Sequence, residues 1–395
     1  MFDFESLNLE LNSLVIFRRL LYDDVLKLLP AVLSLKDKTD IEKLTSYTEF
    51  VSELFKHDEN LTQYVWNRVL ADENIYVLKC ACKEYISNIL EECLKNELKI
   101  VEKVSRISAE EIIKAMDYQG FLPSWETREI NLYEKYIDRM ENINSLGFGN
   151  YSRYRMFTVK ENSITPVKSP DPIKLSDLKD YKLEREAVIK NTLALLKGKP
   201  AANTLLYGDA GTGKSSTVKA IVNEFADRGL RLIEVTKKQL MEIPLIMEQL
   251  SKNPLKFIIF IDDLSFSPDN EDIGSLKAIL EGSASSRTPN VVIYATSNRR
   301  HLMRETFSDR GNDDIHLNET IQEQVSLSER FGLSVVFSKP DKVQYLKIVH
   351  ELARQFEIEI SEQEIDLRAE RYALERGGRS PRAARQFIEY LRSME

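Results

Sequence analysis

Cysteine is scarce: Cys80, Cys82 and Cys93 are the three among 395 residues. An odd count clustered in one helical-looking stretch argues against a disulfide framework and for reduced thiols. With no second cysteine pair or nearby histidine, the cluster also lacks a zinc ligand set. Histidine is nearly as rare, at four; His57, His301, His316 and His350 have no sequence partners that argue for metal binding or acid–base work. No apolar run approaches the ~18 residues of a membrane-spanning helix. The acidic start MFDFESLNLE lacks the basic-then-apolar order of a secretory signal. These absences lead to the expectation of a cytoplasmic protein without membrane contact. An excess of positive charge is missing too. The net charge is −8, and residues 1–165 hold 28 acidic against 21 basic residues, which disfavours a generic binder of phosphate backbone in the front half.

Against these absences stands the stretch Asn203 to Thr217, NTLLYGDAGTGKSST. It reads as a short apolar strand, a glycine-rich loop and the start of a helix. Gly208, Gly213, Lys214 and Ser215 complete the pattern G-x-x-x-x-G-K-[ST]. Glycines let the backbone curl until its N–H groups face an anion, which Cβ atoms would obstruct. The following helix adds unpaired N–H groups and its positive dipole end. Lys214 is expected to reach the β- and γ-phosphates, and the Ser215 hydroxyl to hold Mg²⁺. Gly208, Asp209, Ala210, Gly211, Thr212, Gly213, Lys214, Ser215 and Ser216 are the expected nucleotide-binding residues. A chance match is disfavoured by the flanks: Leu205, Leu206 and Tyr207 supply the strand, and Val218, Ile221, Val222 and Phe225 the apolar helix stripe.

Around this loop the chain divides into four parts. Residues 1–145 read as an all-α domain. Leu14, Phe17, Leu21, Val25 and Leu28 fall at helical steps ended by Pro30. Thr39-Asp-Ile-Glu42 and Ser108-Ala-Glu-Glu111 look like capping boxes. No catalytic constellation occurs there, so contact with an unidentified protein partner, a neighbouring subunit or the nucleotide core is the expected role. Residues 146–176, punctuated by Gly147, Gly149, Pro166, Pro170 and Pro172, read as a linker with a possible short hairpin. Arg153 and Arg155 interleave with Tyr151, Tyr154 and Phe157, a pattern able to stack on nucleic acid; docking of those aromatics on the next domain is the preferred reading. Residues 177–338 alternate helix-length segments with five apolar strands at 203–207, 230–235, 257–261, 291–295 and 334–337, the signature of a parallel α/β sheet covered on both faces. Residues 339–395 read as a small helical bundle. Pro340 suits the first turn of its first helix, Ser361 to Glu364 is a capping box, and Ser380-Pro381 opens its last helix.

Ligands bind such sheets at the carboxyl ends of the strands. Two of those ends carry suitable chemistry. The strand 257–261 runs into Asp262-Asp263, one carboxylate suited to Mg²⁺ and the other to orienting water. The strand 291–295 runs into Thr296-Ser297-Asn298, whose amide can hydrogen-bond the γ-phosphate or the attacking water.

With these elements in order, the chain resembles the AAA+ ATPases, and as a whole is similar to a bacterial AAA+ family catalogued as a domain of unknown function (DUF815). The resemblance covers about residues 170–395. It makes 208–215 the Walker A motif, 257–263 Walker B and Asn298 sensor 1. Ser328-Glu329-Arg330-Phe331-Gly332 resembles the segment carrying an arginine finger, at Arg330. Gly378 to Ala384 resembles the sensor 2 segment, with Arg382 as the sensing residue. Leu178-Lys-Asp-Tyr181 resembles the stretch whose aromatic, Tyr181, lies near adenine. The fold implied is an α/β P-loop AAA+ core with a five-stranded parallel sheet and a C-terminal helical lid, behind the all-α domain.

The activity implied is hydrolysis of ATP to ADP and phosphate with Mg²⁺. Lys214, Asp263, Asn298, Arg330 and Arg382 act in catalysis, and Ser215 and Asp262 hold the metal. A finger at Arg330 that serves a neighbour's ATP implies a homo-oligomer. One departure matters: the family pattern ends Walker B in Asp-Glu, where this chain has Asp262-Asp263, one methylene short. A catalytic group misplaced by ~1 Å can lose on the order of 10²-fold in rate. A nucleotide-dependent switch or loader acting on a nucleic-acid complex with little turnover is therefore the alternative. A P-loop small-molecule kinase is a third reading, with no candidate acceptor site and no use for the C-terminal bundle.

Overall fold

The computed structural model describes residues 3–34, 38–116, 118–264, 272–281, 288–298 and 329–394. His301, His316 and Ser328 lie outside them. The chain forms two compact units, Met1–Arg153 and Tyr154–Glu395.

The first unit is helical. Its elements are α1 (Phe4–Asn12), α2 (Leu29–Leu33), α3 (Asp40–Phe55), α4 (Leu61–Ala71), α5 (Ile75–Cys82), α6 (Asn88–Ser105), α7 (Ala109–Met116), α8 (Leu132–Glu141), α9 (Ile143–Leu146) and α10 (Asn150–Arg153). Both expected capping boxes open helices. Thr39 Oγ1 accepts from Glu42 N while Glu42 Oε2 accepts from Thr39 N, and Ser108 and Glu111 do the same at α7.

The helix expected over Leu14 to Leu28 is absent. Two 3₁₀ turns, Arg18–Tyr22 and Leu26–Leu28, stand in its place, and Pro30 sits in the first turn of α2 instead of ending a helix. Side chains have taken the backbone donors that a helix would use. Asp23 Oδ1 accepts from Val25 N and Leu26 N at 3.1 Å each. Glu97, buried in the middle of α6, accepts from Val15 N, Ile16 N and Phe17 N at 2.8–3.0 Å. The Cys93 thiol also donates to Glu97, and burial with that bond pushes it up to about 11. None of Cys80, Cys82 and Cys93 is in a disulfide.

The second unit is built on one sheet. Its strands are β1 (Met156–Lys160), β2 (Ser163–Pro166), β3 (Thr204–Gly208), β4 (Leu230–Val235), β5 (Lys256–Ile261), β6 (Val291–Ser297) and β7 (Leu333–Phe337). Among the described residues the sheet has seven strands in the order β2-β1-β4-β5-β6-β3-β7. Only the β1–β2 pair is antiparallel. The five expected strands are there, and the expected linker supplies two more. Its hairpin adds to the edge of β4, with Met156 opposite Leu232. Met156 and Phe157 are buried in this edge, so Phe157 has no face left for stacking on a base.

Helices α11 (Lys182–Leu196), α12 (Lys214–Phe225), α13 (Ile243–Ser251) and α14 (Asp272–Glu281) connect the strands. Burial from both faces explains the uninterrupted apolar run of β5, where Phe257 to Ile261 are fully buried. The bundle at the end comprises α15 (Lys342–Gln355), α16 (Glu362–Glu375) and α17 (Pro381–Arg392) around its own core of Tyr345, Ile348, Ala369, Phe387 and Ile388. Pro340 precedes the first of these helices, which Asp341 caps by accepting from Gln344 N. Ser380 caps the last, with Pro381 in its first turn. Among the described residues no helix is long and apolar enough to cross a membrane.

The Glu97 contacts make a stability prediction. Glu97→Gln turns one acceptor into a donor facing backbone N–H groups in a dry interior. The change is expected to cost about 3 kcal/mol, read as a lower urea midpoint for the first unit at an unchanged slope. An unchanged midpoint would mean that the Val15–Phe17 turn holds without this acceptor.

Candidate nucleotide site

The phosphate loop takes its shape from three glycines in the left-handed region: Gly208 (φ +127°), Gly211 (+77°) and Gly213 (+92°). They are needed for different reasons. A Cβ on Gly208 would lie 2.3 Å from the carbonyl oxygen of Phe337 on the neighbouring strand. On Gly211 it would press against Ser380 and Arg382 of the bundle, whereas Gly213 faces open space. Lys214 opens α12 and is buried. Its ammonium donates to the carbonyls of Gly208 at 3.0 Å and Asp209 at 2.7 Å, closing the loop on itself. Burial pulls this ammonium below its ordinary value, against the pull of Asp209, Asp263 and Asp262.

Parallel register brings the other groups to the same edge. Ile261 pairs with Ala295 and Tyr207 with Ser297, so the residues after β5 and β6 emerge beside the loop. Ser215 Oγ donates to Asp262 Oδ1 at 2.6 Å, and Thr296 Oγ1 donates to the same oxygen at 2.5 Å. Asp263 N donates to Thr296 Oγ1 at 2.9 Å, and Asn298 Nδ2 donates to Asp263 Oδ1 at 2.8 Å. Asp263 has φ +52°, a strained backbone that Asp tolerates better than most residues. Thr296 was not among the expected site residues, although the pairing of β5 with β6 alone puts it beside Asp262. The hydroxyl of Ser215 and the carboxylate of Asp262 form a hard oxygen set of the kind that suits Mg²⁺ shared with phosphates.

A cleft of about 460 Å³ lies over these groups. Gly211 to Thr217, Asp262, Asp263, Thr296 and Asn298 line its floor. Arg382 and Arg385 reach it from α17, Ile348 and Leu352 from α15, and Ile173, Asp177, Leu178, Lys179 and Arg185 from the segment before the first core strand. Gly208, Asp209 and Ala210 form the rising arm of the loop outside the cleft lining. The Asp209 carboxylate turns away and accepts from Lys339 N at 2.8 Å. Arg382 N donates to the Gly211 carbonyl at 3.1 Å, so the last helix rests on the phosphate loop.

Two expected residues stand elsewhere. Tyr181, expected beside the base, is in the core and outside the cleft lining. Its ring stacks on Phe337 at 5.4 Å and its hydroxyl donates to the Ser338 carbonyl at 2.6 Å. Burial pushes that phenol up. Ile173 and Leu178 line the cleft on that side. Arg330 precedes β7, whose first residue, Leu333, pairs with Thr204 at the start of β3. It therefore stands at the end of the sheet opposite the phosphate loop, about 13 Å of strand away. It lies outside this chain's own cleft lining.

A family model described as "Protein of unknown function (DUF815)" matches residues 150–395. The chain belongs to that DUF815 family. Its strand order and motifs make the DUF815 unit a P-loop AAA+ core with a C-terminal helical lid. Solved structures similar to it include the Thermotoga maritima RuvB Holliday junction branch migration motor, at 16% identity and TM-score 0.38, covering 56% of this chain and 65% of that one. A point mutant of that motor matches at 18% identity and TM-score 0.39, with the same coverage. The DUF815 chain thus spans about 65% of the length of these structures. No curated protein matches it.

The glycines give a paired prediction. Gly213→Ala meets only backbone strain, about 1–2 kcal/mol. Gly208→Ala adds a clash with Phe337 and is expected to lose roughly 2 kcal/mol more. Thermal melts of the two variants give the order directly, and an equal loss would refute the close approach of Gly208 to β7.

Proposed function

We propose that this DUF815 protein binds ATP with Mg²⁺ and hydrolyses it to ADP and phosphate to drive conformational work on a macromolecular partner. The observation that carries this reading is the convergence of Ser215, Asp262, Thr296, Asp263 and Asn298 into one hydrogen-bonded chain beside the Lys214 loop. On this reading the loop N–H groups and the α12 dipole bind the phosphates, and Lys214 exchanges its two loop carbonyls for phosphate oxygens. Ser215 and Asp262 hold Mg²⁺, which neutralises charge on the phosphates. Asp263 takes the proton of the attacking water or orients it, and Asn298 fixes the Asp263 carboxylate. Arg382 supplies positive charge from the lid, and the loop–lid contact at Gly211 carries the nucleotide state to the lid.

Arg330 cannot serve its own nucleotide from the far end of β7. A finger role for it requires a second copy of the chain, and the proposed active form is a homo-oligomer. Residues 1–145 are the proposed seat of a protein partner, and a cytoplasmic location fits the reduced thiols. The strained, shortened Asp263 favours a second reading: a switch that binds ATP and turns over little, as a loader on a nucleic-acid complex would.

Phosphate release at rising protein concentration tests the first reading. Lys214→Ala is expected to lose release by roughly 10²-fold or more. Arg330→Ala is expected to be inactive alone yet regain part of its activity when mixed with Lys214→Ala, because each variant supplies what the other lacks. ATP binding without release at any concentration would move the switch reading to first place.

Asp263→Gly separates chemistry from folding. Glycine relieves the left-handed strain, about 1 kcal/mol, so the melting temperature is expected to hold or rise while phosphate release is lost. A variant that keeps its release would remove Asp263 from the reaction.

A further inference from the structure

Arg185 lies near the start of α11 and is 9% exposed, and what remains accessible faces the cleft. Among the described residues its guanidinium makes no hydrogen bond or ion pair. Arg231, buried to a similar degree, instead donates to the carbonyls of Ala226 and Leu230. Its stem is buried, yet its guanidinium nitrogens are not among the sealed, unpaired polar atoms and open onto the cleft, where their donors are free for a ligand. A ligand in the cleft brings the acceptors.

The surroundings say which part of a nucleotide that is. The charged groups acting on Arg185 are Asp180, Glu184 and, from the lid helix α15, Glu351. Those acting on Lys214 are a different set, Asp209, Asp263, Asp262 and Arg382. The two cations reach the cleft from different elements, Arg185 from α11 and Lys214 from α12. These carboxylates offset the charge of the Arg185 guanidinium, so neutral acceptors suit it, while Lys214, Arg382 and Arg385 bring further positive charge to the same cleft. The adjoining walls, Ile173 and Leu178 on one side and Ile348 and Leu352 on the other, are apolar and suit a flat ring.

We propose that Arg185 is the base-reading residue of this cleft, donating hydrogen bonds to ring-nitrogen acceptors on the edge of the nucleotide base. The proposal rests on the nucleotide-binding reading above. Arginine offers donors only. Adenine mixes an amino donor with its ring acceptors, whereas guanine presents O6 and N7 side by side, the pair an arginine fork fits best. The cleft is thus built to accept GTP as well as ATP.

Calorimetric binding to the full chain tests this, using ATP, GTP and ATP analogues in which carbon replaces N1, N3 or N7 in turn. Arg185→Met keeps the buried stem and removes the donors, and a melting curve checks its fold. At least one analogue is expected to bind wild type roughly tenfold more weakly than ATP, the worth of one hydrogen bond to a charged group. Arg185→Met is expected to bind that analogue and ATP alike, and to lose more affinity for GTP than for ATP. If every analogue binds wild type as ATP does, or the Met variant still discriminates, Arg185 does not read the base. If neither ATP nor GTP binds wild type, the nucleotide reading itself fails, whatever Arg185 does.

Discussion

Parallel pairing of four strands is the constraint on which the site depends. Because β3, β5, β6 and β7 run the same way and in step, the residues that follow them emerge along one edge. Gly208, Asp262, Thr296 to Asn298 and Ser338 are close for that reason alone, though far apart in sequence. Sliding β6 by one residue would turn Thr296 away from Asp262 and break the chain of bonds that ends at Asn298, since side chains alternate faces. The buried, branched and aromatic interiors of β5 and β6 hold the register. Packing in the sheet thus fixes distances of 2.5–2.8 Å at its rim.

What could be read from the sequence divides along the same line. The phosphate loop, the five central strands, the capping boxes and the tandem acids are local patterns, and each carries its own chemistry in adjacent residues. The misses are contacts between distant parts. Leu14 to Leu28 has helical spacing, but Glu97, some eighty residues on, takes its backbone donors. Tyr181 matches a family position, yet packing against Phe337 draws it into the core. Thr296 carries no expected role of its own because its partner, Asp262, follows another strand. The hairpin expected as possible within the linker joins the main sheet, and its pairing with β4 lies outside its own sequence.

Asp263 carries backbone strain at the rim of the cleft. Left-handed backbone is uncommon for a residue with a side chain and collects at functional sites. Glycine would relieve the φ of +52° but offers no carboxylate, and Glu161 and Glu357 adopt similar angles in this chain. The Asp263 carboxylate is held by Asn298. Whether it still reaches a water is a question of the turn's position rather than of side-chain length alone.

The bundle and its entry are tied to the phosphate loop at two points and to the core at a third, each involving a backbone group. Arg382 N meets the Gly211 carbonyl, Lys339 N meets the Asp209 carboxylate, and Tyr181 holds the Ser338 carbonyl. The last two fall where the chain leaves β7 for the bundle, and the first falls where the bundle's last helix returns. A ligand shifts a conformational equilibrium only through contacts that differ between its states. A phosphate seated on the loop would alter both sides of this linkage at once, because Gly211 and Asp209 are loop residues and their partners belong to the lid or its entry. On the proposed reading, the absence of a Cβ at Gly211 does more than permit a turn: it lets Ser380 and Arg382 approach closely enough for the lid to sense the loop.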